Sequence, residues 1–253
     1  MIDTSPLSLV FLLVAGLLAG GINAVAGGGS LLLFPALLAV GFPPLAANVT
    51  NSVAQWPGYL GIVIGARHDL RGQQRRIVAT SGVAVFGSAL GSVLLLVLPG
   101  SVFDTIVPVL VLLASAAMAL GPWLRRIIGT PQPGAPDRNI ALLPAVFVAA
   151  VYGGYFGGAL GVILIATLSL CAHDGLVRLN ALKGLLSLFI ATVSLAIFAF
   201  GAPVDWLSVA LLAPTTLLGG FLGAKMARRL PANVLRWVVV LLGFGVGIAL
   251  LVT

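Results

Sequence analysis

The sequence predicts an all-α polytopic membrane protein built as two inverted repeats, each a broken, re-entrant-like helical hairpin followed by three transmembrane helices. Three observations carry that expectation. Hydrophobic residues make up 60% of the 253-residue chain and charged residues only 8%, against roughly a quarter charged in soluble domains. The first apolar run is interrupted by Gly27-Gly28-Gly29-Ser30. The thirteen Lys and Arg are spaced so that one particular topology gathers all of them on one face of a bilayer.

The first run, Leu7 to Val40, is too long to cross once. As one straight helix it would reach about 51 Å, against a hydrocarbon core of roughly 30 Å. Three adjacent glycines are poor helix formers, so the run breaks there and returns. Irregular backbone at membrane depth is tolerated only where protein or a water-filled cavity surrounds it, which makes the break a candidate site. Leu7–Leu18 followed by Ala24-Val25-Ala26 has the outline of a signal peptide. Met1-Ile2-Asp3-Thr4 carries no positive charge, however, and cleavage would cut into a repeat, so the segment is read as retained.

Seven further apolar runs follow, at about Leu45–Ala66, Ile77–Leu98, Val102–Leu124, Ile140–Leu170, Leu179–Phe200, Trp206–Ala224 and Val234–Val252. The fifth run is again overlong and breaks at Gly157-Gly158-Ala159-Leu160-Gly161. A constant offset of 132 residues superimposes Gly21 on Gly153, Gly29 on Gly161, Asn48 on Asn180, Gly87 on Gly219, Gly91 on Gly223 and Pro99 on Pro231. The repeats are residues 1–124 and 139–253, joined by a basic Pro/Gly-rich cytoplasmic linker, 125–138.

Charge sets the orientation. If all eight runs crossed once, the thirteen cations would divide almost evenly between the two sides. With the first and fifth runs folded back as hairpins, all thirteen share one side, the cytoplasmic one. The second repeat then starts from the opposite face to the first. Both termini are expected outside, in a multi-pass protein of the inner (plasma) membrane. Inverted repeats of this kind bind substrate near the midplane, between discontinuous helices.

The first candidate site residues lie at the breaks: Asn23, Gly27, Gly28, Gly29 and Ser30 in the first, and Tyr155, Gly157, Gly158 and Gly161 in the second. Both returning half-helices start at their breaks, so free N–H groups and positive dipole ends face an anion there. The glycine pairs Gly87/Gly91 and Gly219/Gly220/Gly223 are read instead as close helix packing. The second polar cluster is Asn48, Thr50, Asn51 and Gln55, matched in the other repeat by Asn180 and Lys183. Asn48 and Asn51 share a helix face, as do Asn180 and Lys183, and these faces should point inward. Lys183 is either a fixed positive charge at the site or a lysine snorkelling to the cytoplasmic surface.

Other chemistries find no support. The carboxylates are six Asp and no Glu, all in loops, at segment edges or near a terminus. With the single Cys171 and the distant His68 and His173, no metal-ligand spacing and no catalytic set appears. Gly243-Phe244-Gly245-Val246-Gly247 lies inside an apolar run and is no nucleotide loop. The net charge of +7 is an orientation signal rather than a nucleic-acid footprint. The expected partners are a small anionic substrate and the lipid bilayer, with no cofactor. No carboxylate is available inside the spans for proton or sodium coupling, which leaves His173, Lys183, a proton carried by the substrate, or facilitated diffusion.

Asn23-Ala24-Val25-Ala26-Gly27-Gly28-Gly29-Ser30, then Pro35-Ala36-Leu37-Leu38, Gly41-Phe42-Pro43-Pro44 and Ala47-Asn48-Val49-Thr50-Asn51, resembles the first-half signature of the TauE/SafE sulfite exporter family. Tyr152-Gly153-Gly154-Tyr155-Phe156-Gly157-Gly158-Ala159-Leu160-Gly161 with Asn180-Ala181-Leu182-Lys183 resembles its second-half counterpart. The resemblance covers nearly the whole chain. It implies secondary transport, as an exporter, of small sulfur-containing anions such as sulfite, sulfoacetate or related organosulfonates. The second break lacks a triple glycine, so the two halves cannot offer identical ligands. A small-anion channel with the same site architecture is the alternative.

Overall fold

The computed structural model describes residues 5–128, 137–226 and 232–252. Most of the 125–138 linker, Pro231, Arg228 and Arg229 lie outside the described residues. Eleven α-helices follow one another: α1 Pro6–Val25, α2 Ser30–Ala39, α3 Pro44–Ala54, α4 Trp56–Gly65, α5 Gln74–Val97, α6 Gly100–Ile128, α7 Asn139–Tyr155, α8 Leu160–Cys171, α9 Leu176–Gly201, α10 Trp206–Met226 and α11 Ala232–Val252. There is no strand among the described residues. Six of these helices carry a segment long and apolar enough to cross a membrane: α1, α5, α6, α9, α10 and α11. Large apolar side chains such as Leu7, Ile140, Phe200 and Val252 stand exposed on the outside of the bundle, where lipid would cover them.

The first and fifth runs break where the glycines stand. Helix α1 starts on Pro6, with the Ser5 hydroxyl accepting the Ser8 N–H at 3.3 Å. It ends at Val25, and Gly27, two residues on, has a φ of 80° in the left-handed region that glycine tolerates best. The two arms of the first hairpin are unequal, since α1 has 20 residues and α2 has 10. The incoming arm is therefore a full span in length rather than half of one.

The second run, read from sequence as one crossing, is two helices. Pro57 has no N–H to give to Val53, so the ladder opens between α3 and α4. Gln55 bridges the gap in near-helical geometry, its N–H on Asn51 and its carbonyl accepting from Tyr59, both at 3.1 Å.

Packing follows the 132-residue offset. Helix α1 lies along α10, and α7, its counterpart, lies along α5, the counterpart of α10. Small residues make both contacts possible. A methyl on Gly20 would sit 2.7 Å from the Gly220 nitrogen, and one on Gly87 would sit 2.7 Å from the Phe147 carbonyl oxygen. Gly91, Gly219 and Gly220 likewise press on the backbones of Val151, Leu17 and Gly58. The packing reading of these glycines is the one the geometry supports.

One end of the bundle is a clasp of charges. Arg76 Nε donates to Asp137 at 2.7 Å and its Nη1 to Asp174 at 3.1 Å, while Arg178 Nε reaches Asp174 at 2.9 Å. The Arg138 N–H bonds the Cys171 carbonyl at 2.8 Å. Helix α7 thus departs from, and α8 returns to, the same end of the molecule. Burial on its own would raise the Asp137 and Asp174 carboxyls. Hydrogen bonds from Arg76 and the His173 N–H to Asp137, and from Arg178 and the Gly175 N–H to Asp174, outweigh that and hold both below the usual carboxylate value.

Candidate functional site

The two breaks touch. A methyl on Gly161 would lie 2.5 Å from Gly27 Cα, and one on Gly27 would lie 2.6 Å from the Gly161 carbonyl carbon. The helices that leave the breaks, α2 with 10 residues and α8 with 12, are about 15 and 18 Å long. Each is close to half of a roughly 30 Å hydrocarbon core. Ala159, offset-matched to Gly27, is also left-handed, with φ 53°.

The first break is braced by side chains. Asn23 Oδ1 accepts the Gly29 N–H at 2.7 Å, and its amide donates to Gln55 Oε1. The Gln55 amide in turn donates to Ser30 Oγ at 2.9 Å and Asn51 Oδ1 at 2.6 Å. All four side chains belong to buried residues. Beside them lies a cavity of about 20 Å³, lined among others by Ser30, Gln55, Tyr59, Gly157, Ser187 and Ser194. That is room for about one water. Its polar lining comes from both halves of the chain and includes no charged group.

The free N–H groups expected at the breaks are partly used. Gly27 donates to Ile22, Leu160 to Gly157 and Val162 to Ala159, in addition to the Gly29–Asn23 bond. The Gly27 bond closes the C-terminal end of α1, while the two three-residue turns satisfy first donors of α8. Backbone amides are therefore a smaller part of the local electrostatics than the glycine spacing implied.

Charge enters at a different place. Lys183 is 2% exposed, and its ammonium donates to the Asn23 carbonyl at 3.0 Å. The Asn180 amide donates to the neighbouring Ala24 carbonyl at 3.1 Å. These carbonyls end α1, where helix carbonyls lack internal partners and the dipole favours a cation. The offset-matched Asn48 does the same for α7, donating to the Tyr155 carbonyl at 3.0 Å. Each half of the chain thus caps the broken helix of the other. The buried ammonium does not snorkel to the surface.

Lys183 and Asn180 line a second cavity, of about 70 Å³, together with Ala26 of the first break, Val162 of α8 and Arg236 of α11. A wider vestibule of about 460 Å³ shares Val25, Ile165 and Asn180 with it and runs to Asp69 and Lys225. Asp69 lies in the short 3-10 turn Arg67–Leu70 that follows α4, and Lys225 in the last turn of α10. On the other side of the breaks, aromatic rings close up: Phe34 stacks edge-on with Phe156 at 5.6 Å, and Phe103 lies 6.0 Å from Tyr155.

Several expected residues stand apart from both cavities. The Thr50 hydroxyl accepts the Asp205 N–H at 3.0 Å and anchors the approach to α10. Gly28 faces the Met118 thioether, and Gly158 faces the Phe156 ring. The Tyr155 hydroxyl and Asn48 Oδ1 are buried without a hydrogen-bond partner among the described residues. Tyr59, Ser187, Ser194 and Arg236 line the cavities and were not singled out from sequence. Ser187 is the offset match of Gln55, so the repeat itself held a signal for it.

The chain is similar to known membrane transporter proteins. Residues 12–250 match the family model described as sulfite exporter TauE/SafE. A probable membrane transporter protein, YfcA, of Escherichia coli strain K12 is 32% identical over 239 residues, covering 89% of this chain and 81% of that protein. A probable membrane transporter protein of Haemophilus influenzae is 29% identical over 93% of this chain and 91% of its own length. A third, ORF9 of a Sinorhizobium species, is 26% identical over 96% and 92%.

Proposed function

The chain belongs to the sulfite exporter TauE/SafE family and is a multi-pass membrane transporter, and from that premise we propose that its cargo is a small sulfur-containing anion. Sulfite or an organosulfonate is exported by secondary transport, bound between the two broken helices. One observation carries the reading. A buried lysine, held by the end of α1 and accompanied by Asn180, lines a cavity at the first break, and among the described residues no carboxylate lines it. An anion entering that cavity meets a positive charge in surroundings that water screens poorly, where attraction is strongest.

In this reading the two halves are inverted repeats in the plasma membrane, with both termini outside and the clasp and vestibule inside. The cross-repeat caps of Asn48 and Asn180 and the exchanged packing of α1 with α10 and α7 with α5 support it. The vestibule admits the anion from the cytoplasmic side, the Gly27–Gly161 contact separates it from the neutral cavity, and the aromatic cluster closes the route outward. Passage beyond the cavities requires the two halves to move against each other.

The test is counterflow in proteoliposomes with sulfite, sulfate, thiosulfate, sulfoacetate, taurine and acetate. Saturable counterflow of sulfite or a sulfonate is expected. Uptake of acetate with no sulfur anion would remove the substrate assignment. A current that never saturates would replace the carrier with a channel.

A further inference from the structure

We propose that Arg236 and Lys183 form a two-cation station for a small, doubly charged oxyanion on the vestibule side of the Gly27–Gly161 contact. The inference deepens the transport reading, on which its place in turnover rests, while the binding site itself stands on the cavity.

Arg236 sits on the first turns of α11 and is half-buried, with one edge of its guanidinium exposed and its Nε turned inward. Its Nη1 donates to Asn233 Oδ1 at 3.1 Å, one helical turn back, which fixes one edge of the guanidinium. Its Nε is buried and has no hydrogen-bond partner among the described residues. A buried donor without an acceptor costs about 1–3 kcal/mol, so an occupant that accepts from it is favoured. Arg236 and Lys183 line the same cavity, and among the described residues no carboxylate lines it with them. Two cations lining one cavity repel one another, and an anion between them removes that repulsion.

The rest of the lining fits the same occupant. Val25, Met118, Val162 and Ile165 are apolar and leave Asn180 and the two cations as the cavity's polar side chains. The volume, about 70 Å³, corresponds to roughly five waters, which suits an oxyanion of four or five heavy atoms and excludes a nucleotide. The planar guanidinium recognises two oxygens of such an anion, while the lysine supplies a point charge. Matching two positive charges, the station distinguishes a dianion from a monoanion of the same size.

The experiment is titration calorimetry on purified protein with sulfate, thiosulfate, methanesulfonate, acetate and chloride. Sulfate is expected to bind about tenfold more tightly than methanesulfonate, and Arg236→Gln to weaken sulfate about tenfold while changing methanesulfonate about threefold or less. Arg236→Lys should retain part of the preference. If Arg236→Gln does not fold, Arg236→Lys and the order in which anions raise the melting temperature of the unaltered protein decide the matter. Sulfate affinity unchanged in Arg236→Gln, equal affinity for sulfate and methanesulfonate, or no binding of any small anion overturns the station. The two proposals fail separately. Sulfite counterflow with an unchanged KM in Arg236→Gln removes the station and keeps the substrate. Arg236-dependent sulfate binding without counterflow of any sulfur anion does the reverse.

Discussion

The two breaks solve one geometric problem with different chemistry. Each turns a helix back within the bundle and must settle its exposed backbone groups without water. The first break uses three glycines and a network of amides, Asn23, Gln55, Ser30 and Asn51. The second uses two glycines, a left-handed alanine and aromatic rings, with the Tyr152 hydroxyl donating to the Gly158 carbonyl at 2.6 Å. Lysine and asparagine of α9 cap the helix entering the first break, whereas Asn48 and the Ser92 hydroxyl, both uncharged, cap the helix entering the second. Polar bracing and positive charge are thus concentrated on the first break, and apolar closure on the second. Under the proposed transport reading the first break would hold the anion and the second would form part of the barrier.

The largest effects are expected where the breaks meet. Gly27→Ala adds backbone strain at a φ of 80° to a clash with the Gly161 backbone, and Gly161→Ala makes the reciprocal clash without the strain. Together these amount to about 2–4 kcal/mol for Gly27→Ala and about 1–3 for Gly161→Ala. Gly28→Ala, which meets only the flexible Met118 side chain, should be much milder. Melting temperatures in detergent and counterflow rates test the order. A Gly28 variant as damaging as the Gly27 variant would show that the contact between the breaks is not what holds them.

Next in size is the contrast in bracing. Gln55→Leu removes the partners of Asn23, Ser30 and Asn51 at once and leaves their polar groups buried, a loss of about 2–3 kcal/mol. Tyr152→Phe removes one bond at the second break, about 1 kcal/mol. Equal destabilisation by the two variants, measured by thermal unfolding, would erase the distinction between a polar and an aromatic break.

How far this contrast was legible in the sequence depends on the residue. The breaks themselves were, because no helix runs through Gly27-Gly28-Gly29. So was the pairing of Asn48 with Asn180, because it recurs at the repeat offset and an asparagine among apolar residues needs a partner. The kink at Pro57 was missed because the run was read by its hydrophobicity, which carries no record of a missing N–H. Thr50 was placed with its neighbours by spacing, yet its hydroxyl turns to the Asp205 N–H, a contact made across 155 residues. Arg236 was counted as a loop charge. Its position near a run's end is what an orientation signal looks like, and only the three-dimensional course of α11 brings it to the end of α1.

A third, smaller difference lies at the clasp. The second hairpin is tied to the basic end through Asp137 and Asp174, which meet Arg76 and Arg178. Both carboxyls titrate below the ordinary value near 3.8. A depressed carboxylate contributes stability that is fully present above its unfolded pKa and is lost as pH falls through its folded one. The melting temperature should therefore respond little to these groups from pH 7 to about 5 and lose their contribution below about 4. Asp137→Asn should cost about 1–2 kcal/mol at pH 7 and remove part of that acid sensitivity. An unchanged acid profile in the variant would mean that the clasp does not secure the second hairpin.

The smallest effect is the most specific to the comparison. Ala159 and Gly27 occupy matching places in the two halves, and both have positive φ, 53° and 80°. An alanine held left-handed is strained by roughly 1–2 kcal/mol relative to its relaxed conformation, a strain glycine lacks. Glycine loses more chain entropy on folding, which takes back about 0.5–1 kcal/mol. Ala159→Gly should therefore raise stability slightly, by up to about 1 kcal/mol. Ala159 is also fully buried, so the lost methyl takes some packing with it and keeps the gain small. If the variant is stabilised but transports more slowly, the strain belongs to the moving part of the cycle and the second break is the one that rearranges. Destabilisation by more than about 1 kcal/mol would mean that the methyl's packing outweighs the backbone strain, and that the second break is held by its apolar contacts alone.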